Sequence, residues 1–144
     1  DSATGKTMAN TAITNGADIV FQAAGATGLG VIEACQEAGV YAIGVDSDQS
    51  SIAPSTVLTS AMKRVDNAVY NAVEELMDGS LEGGVQSFDL AAGGVDIAPT
   101  QDLIAPEVIS AVDEVKEKIV SGEIEVPADK ESFEAKYGDV YQLD

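Results

Sequence analysis

Residues 18–45 constrain the fold more than any other part of the chain. Residues 18–24 are apolar after Asp18, apart from Gln22, and read as a strand. The run Gly25-Ala-Thr-Gly-Leu-Gly30 follows as a glycine-rich turn. Residues 31–38 then read as a helix that stops at Gly39. Residues 41–45 form a second apolar run, which ends in a polar tip of Asp46, Ser47, Asp48 and Gln49. Strand, turn, helix and strand at such short intervals make a βαβ unit with parallel strands and a right-handed crossover. The 41–45 run, short and mostly apolar, suits a strand covered by helices on both faces. The expected architecture is therefore three-layer α/β/α with a mainly parallel sheet. Ligands of open α/β sheets bind outside the carboxyl ends of the strands, so Asp46 is the first candidate for contact with a small polar ligand.

The flanking sequence supplies the other elements. Residues 4–15 read as a helix with Met8, Ala9, Ala12 and Ile13 on one face, ended by Gly16. After a polar loop at 50–56, residues 57–60 read as a strand. Residues 64–78 carry the clearest helical stripe: Val65, Ala68, Val69, Ala72, Val73, Leu76 and Met77, with Gly79 as the stop. Residues 83–90 suggest a strand and 93–98 a second extended piece. Pro106 suits the first position of a helix whose Val108, Val112, Val115 and Ile119 form a stripe expected to be buried. Lys116 and Lys118 sit in its last turns, where cations suit the helix dipole, and Gly122 ends it. Residues 123–127 form a short extended exit. The charged tail, 128–144, lacks periodicity and is expected to be loosely ordered. One α/β lobe over 1–127 and a tail over 128–144 is the expected organisation.

Composition removes several classes of function. The 144 residues are 45% hydrophobic, enough for one domain with a real core. The net charge of −18 repels nucleic acid and anionic membranes, and suits solubility in a salty or extracellular medium. With no His and one Cys, Ser-His and Cys-His catalysis, zinc sites and an internal disulfide have no residues to use. Cys35, between Ala34 and Ala38, reads as a small buried hydrophobe. The Asp46-Ser-Asp48 tip lacks the glycine and terminal Glu of a calcium loop. No apolar run approaches the roughly 20 residues of a membrane span. The polar start, Asp1-Ser-Ala-Thr-Gly5, lacks a Met and does not read as a signal peptide, so a processed product or a fragment is expected. No cofactor is implied.

Two features remain that could carry chemistry. The glycine turn comes close to two phosphate-binding patterns and satisfies neither: its glycines fall at 25, 28 and 30, and no Lys closes it. Its backbone N–H groups at a helix start can hydrogen-bond ligand oxygens, or the glycines can serve the turn alone. Lys63 follows the 57–60 strand. If the strands lie in sequential order, the ends at Gln22, Asp46 and Ser60 share one rim, and Lys63 reaches Asp46 across about one strand spacing of roughly 5 Å. An Asp and a Lys there could clamp a vicinal diol, the carboxylate accepting two hydroxyl protons and the ammonium donating back. An ordinary rim salt bridge is the alternative. A general acid–base role is weaker, since no nucleophile or metal accompanies the pair.

Residues 17–34, 41–49 and 57–66, together with Gly93-Gly-Val-Asp96 and residues 118–127, resemble the basic membrane protein family. These are substrate-binding lipoproteins of ABC transporters, similar to purine nucleoside receptors. The resemblance runs from about Thr4 to Pro127 and implies one lobe, the second, of a type I periplasmic binding protein, with the first lobe absent. It implies an extracytoplasmic, lipid-anchored receptor that holds a nucleoside, a purine by preference, between two lobes and delivers it to an ABC permease. Asp46 and Lys63 would hold the ribose hydroxyls; Gly25, Ala26, Thr27 and Gly28 would line the cleft through their backbone, with Gln22 beside them. The family shows Gly-Gly-Thr-Gly where this chain has Ala26, a change that matters if that position needs a positive φ. An absent first lobe would leave the 18–24 strand as an apolar edge, open to that lobe or to a second copy of the chain. An enzyme of sugar or nucleotide metabolism, or a ligand-sensing regulatory domain, would use the same sheet.

Overall fold

The structure is a computed structural model that describes residues 1–141. It divides into two compact units, Asp1–Ile109 and a second beginning at Ser110. The first contains α1 (Ser2–Thr14), β1 (Ile19–Phe21), α2 (Gly28–Ala38), β2 (Tyr41–Asp46), β3 (Val57–Lys63), α3 (Val65–Asp78) and β4 (Val95–Ile97). Helix α4 (Pro106–Val120) starts in the first unit and continues into the second, which also holds α5 (Lys130–Tyr137).

The fold is α/β, and its sheet has the order β1-β2-β3-β4. The first three strands are parallel, with Phe21 beside Ile43 and Asp46 beside Met62; β4 runs antiparallel on β3. Sequential order brings the carboxyl ends of β1, β2 and β3 to one rim. Helices α1 and α2 pack closely on each other and bury one core with the sheet: Ala9, Val31, Ile32, Ala34, Cys35, Ala42, Ala53 and Val57. These residues are small or aliphatic, so the helices approach closely. A Cβ on Gly30 would overlap the Ser2 carbonyl oxygen of α1. Helix α2 starts at Gly28, three residues before the expected start at Val31.

Several expected elements differ. β3 continues to Lys63 rather than ending at Ser60, because Ala61, Met62 and Lys63 gain antiparallel partners in Ile97, Asp96 and Val95. β1 spans only three residues. Its extension is diverted where the Gln22 side chain turns back to accept a hydrogen bond from the Ala24 N–H, 3.1 Å away. Residues 83–90 form no strand; Gly84 has φ 142, and Phe88 folds against Gly94 within a turn. Residues 123–127 are irregular rather than extended strand.

The stripes on α3 and α4 are not buried. No residue of either helix is buried, and Val69, Val73 and Leu76 of α3 stand exposed. A helical period reports an apolar face, not the surface that covers it. The tail is more regular than expected. Asp129 caps α5 by accepting from the Ser132 N–H at 2.8 Å, and Phe133 packs on Tyr137 with ring centroids 5.5 Å apart. The signal there is a cap and an aromatic pair one turn apart, not an apolar stripe. Residues 142–144 of that tail lie outside the described residues.

Candidate ligand-binding site

The rim is built from the ends of three strands. β2 delivers Asp46, whose φ of 71 makes it the one non-glycine residue with positive φ among the described residues. The Ser47 N–H donates to the Val45 carbonyl at 2.9 Å, closing a three-residue turn around Asp46. Such turns with positive φ are rare and strained, and strain of this kind concentrates at functional sites. The turn lifts the carboxylate out of the ladder towards the end of β3. There Lys63 Nζ lies 3.0 Å from Asp46 Oδ1.

The pair is open to solvent: the Lys63 side chain is 69% exposed and that of Asp46 49%. In this setting the contact contributes at most about 1 kcal/mol to folding. Among the described residues no other group bonds to either side chain, so Asp46 Oδ2 and the remaining Lys63 protons stay available. The neighbouring cation is committed elsewhere. Arg64 holds Asp66 through Nη2 at 2.8 Å and also reaches Asn67. Its guanidinium pulls the Asp66 carboxyl down to about 2.

The glycine turn forms the next part of the rim. Residues Gly25–Thr27 make one turn of 3-10 helix leading into α2. Gly25 has φ 54, which favours glycine there, whereas Ala26 is not at positive φ. The methyl group at 26 therefore leaves the turn intact. Gly28 lies against Gln22, whose side chain occupies the space a Cβ would take.

Gln22 itself is turned inward. It is 4% exposed, and its amide is engaged by the Ala24 N–H and by Gln49 Oε1. Its place is beneath the rim rather than on it. Half-buried Gln49 and buried Ser60 complete this layer, and neither was singled out from the sequence as a site residue. The available signal was slight: polar side chains in or just after otherwise apolar strands. Asp48 faces another way. The Thr100 hydroxyl and then Ser50 hydrogen-bond to it and hold its carboxyl below the usual range. The structure thus brings Asp46, Lys63 and the turn at 25–28 to one end of the sheet, with Gln22 behind them. No cluster of potential metal ligands occurs among the described residues.

The profile of the family described as ABC transporter substrate-binding protein PnrA-like matches residues 1–130. The chain belongs to this family. It is 37% identical over 140 residues to basic membrane protein D of Borreliella burgdorferi (strain JD1), covering 93% of this chain and 41% of that protein. Against basic membrane protein A of Borreliella afzelii the identity is 36% over 138 residues, covering 93% and 42%. The PnrA-like chain therefore spans less than half the length of these relatives.

Solved structures agree on the fold. A solute-binding protein of an ABC transporter system from Aeropyrum pernix K1 superposes with a TM-score of 0.78 at 27% identity, over 94% of this chain and 47% of that one. A transcriptional activator of the comK gene from Bacillus halodurans superposes with a TM-score of 0.81 at 22% identity, over 86% and 44%. The second likeness shows the fold alone. The PnrA-like family is one of substrate-binding proteins, which agrees with the expectation of a receptor rather than an enzyme.

Proposed function

We propose that this PnrA-like chain is the second lobe of an extracytoplasmic receptor. The receptor binds a nucleoside and delivers it to an ABC permease. Asp46 and Lys63 clamp the vicinal hydroxyls of the ribose, the carboxylate accepting two hydroxyl protons and the ammonium donating to a hydroxyl oxygen. The backbone at Gly25, Ala26, Thr27 and Gly28 lines the same cleft. The observation that carries this reading is the Asp46–Lys63 contact of 3.0 Å, presented outward by a strained turn at the carboxyl end of β2.

The site is open, and half a cleft neither buries a ligand nor excludes water. The first lobe must close over it, which fits relatives of more than twice the matched length. β1 is an edge strand with Ile19 and Phe21 exposed, Phe21 to 58%. An apolar edge of this kind seeks a partner, either the first lobe or a second copy of the chain. The absence of clustered cations, with 7 Lys and Arg against 25 Asp and Glu, fits a small-molecule ligand rather than nucleic acid. A lipid anchor at the membrane surface belongs to the same proposal; none of the described helices is long and apolar enough to cross a membrane.

Calorimetry of the full-length protein with inosine, adenosine and guanosine tests the ligand class. Binding of at least one is expected. No heat with any of them, alongside binding of a different solute, would reassign the ligand.

A further inference from the structure

We propose that Gln49 is a positioning residue, which sets the Asp46 carboxylate by lacing β1, β2 and β3 together near the rim. The inference rests on the reading of Asp46 and Lys63 as a diol clamp.

One residue joins all three strands, through its side chain to the first two and its backbone N–H to the third. Gln49 Oε1 accepts from Gln22 Nε2 at 2.9 Å, just beyond β1, and from the Val45 N–H at 3.0 Å, on β2. The Gln49 N–H donates to Ser60 Oγ on β3 at 3.1 Å. At the far end, Gln22 Oε1 accepts from the Ala24 N–H. The terminal members, the N–H groups of Val45 and Ala24, can only donate. They therefore fix the orientation of both side-chain amides, and the bonds converge on Gln49 Oε1. The relay is part-buried: Ser60 is fully buried and Gln22 nearly so, while Gln49 is half-buried. Room for it comes from Gly44, where a Cβ would fall on Ser60 Oγ and Gln49 Oε1.

The relay grips both sides of Asp46. Gln49 holds the N–H of Val45 before it, and the loop from 46 to 49 closes back on that same N–H. A residue with φ 71 and a three-residue turn relaxes unless its surroundings over-determine it. Gln49 supplies that constraint. Without its acceptor, the Val45 N–H and the Gln22 amide lose a partner in a part-buried layer, and the turn is free to swing the carboxylate away from Lys63.

Discrimination between ribose and 2′-deoxyribose reads the placement of Asp46 directly, because the deoxy sugar lacks one of the two hydroxyls. A merely structural role would weaken both ligands equally and leave their affinity ratio unchanged. The test is calorimetry of the full-length protein and its Gln49→Leu variant with adenosine against 2′-deoxyadenosine, and inosine against 2′-deoxyinosine. Wild-type protein should prefer the ribonucleoside, and Gln49→Leu should shrink that preference by about tenfold, the equivalent of one hydrogen bond to a charged group. An unchanged preference in a folded Gln49→Leu variant would overturn the positioning role while leaving the clamp standing. No preference in the wild type would overturn the clamp itself. If Gln49→Leu fails to fold, Ser60→Ala removes only the acceptor of the Gln49 N–H. It should reduce the preference by about threefold, and an unchanged preference there also overturns the proposal.

Discussion

Replacing Gly30 by alanine sets two opposing effects against each other, and the structure decides the sign. In a helix interior alanine is favoured over glycine by about 1 kcal/mol. That gain would stabilise α2 if the new methyl group met open space. At Gly30 it meets the backbone of α1 instead: it overlaps the Ser2 carbonyl oxygen and lies 2.8 Å from the Ser2 carbonyl carbon and 2.9 Å from the Lys6 nitrogen. Favourable carbon contacts lie at about 3.5–4.0 Å, so α1 must retreat by the order of 1 Å. A backbone obstacle has no rotamer to change, which places the cost near the upper end of the overpacking range, about 3 kcal/mol. The net expectation is a loss of about 2 kcal/mol after the propensity gain is subtracted. In a chain of this size that lowers the thermal midpoint by about 7 °C. Gly83→Ala provides the control, since nothing lies within 4 Å of its would-be Cβ, and its midpoint should barely move. Circular dichroism melts of the three proteins measure both. A Gly30→Ala protein as stable as the parent, or more so, would refute the reasoning from close helix approach.

Two further predictions concern titratable groups. Cys35 is wholly buried and burial pushes its thiol pKa up, so a soluble thiol reagent should leave the native protein unlabelled and take one equivalent in denaturant. Fast labelling of the native state would contradict the packing of α2. The Arg64 guanidinium lowers Asp66 from an ordinary 3.8 to about 2. A depressed folded-state pKa stabilises above the unfolded value, and that contribution is lost as pH falls from about 4 through 2. Carboxyl NMR titration should place the Asp66 midpoint near 2, and Arg64→Ala should return it to the ordinary range.

The sequence carried local order well and environment poorly. The run from 18 to 45 was legible because Gly25 and Gly39 mark changes of element, and β2 is found where its apolar run predicts it. The stripe of α3 predicted a helix correctly, but not that Val69, Val73 and Leu76 would stand exposed, because periodicity is blind to the covering surface. The end of β3 depended on β4, a partner 32 or more residues away, through pairs such as Lys63 with Val95. At the rim, Asp46 and Lys63 were visible as residue types at strand ends. Their distance follows from the sequential strand order. The inward turn of Gln22 and the bonds of Gln49 were not visible, since an amide next to a strand end looks the same whether it faces ligand or core.

The central claim is that the Asp46 carboxylate holds the ribose. Asp46→Asn in the full-length protein tests it most directly, because asparagine keeps the size and tolerates positive φ while removing the charge. Calorimetry with the best-bound ribonucleoside should show affinity reduced by tenfold or more, on the order of one charge-assisted hydrogen bond, with the thermal midpoint essentially unchanged. Unchanged affinity in the Asp46→Asn protein would contradict the account.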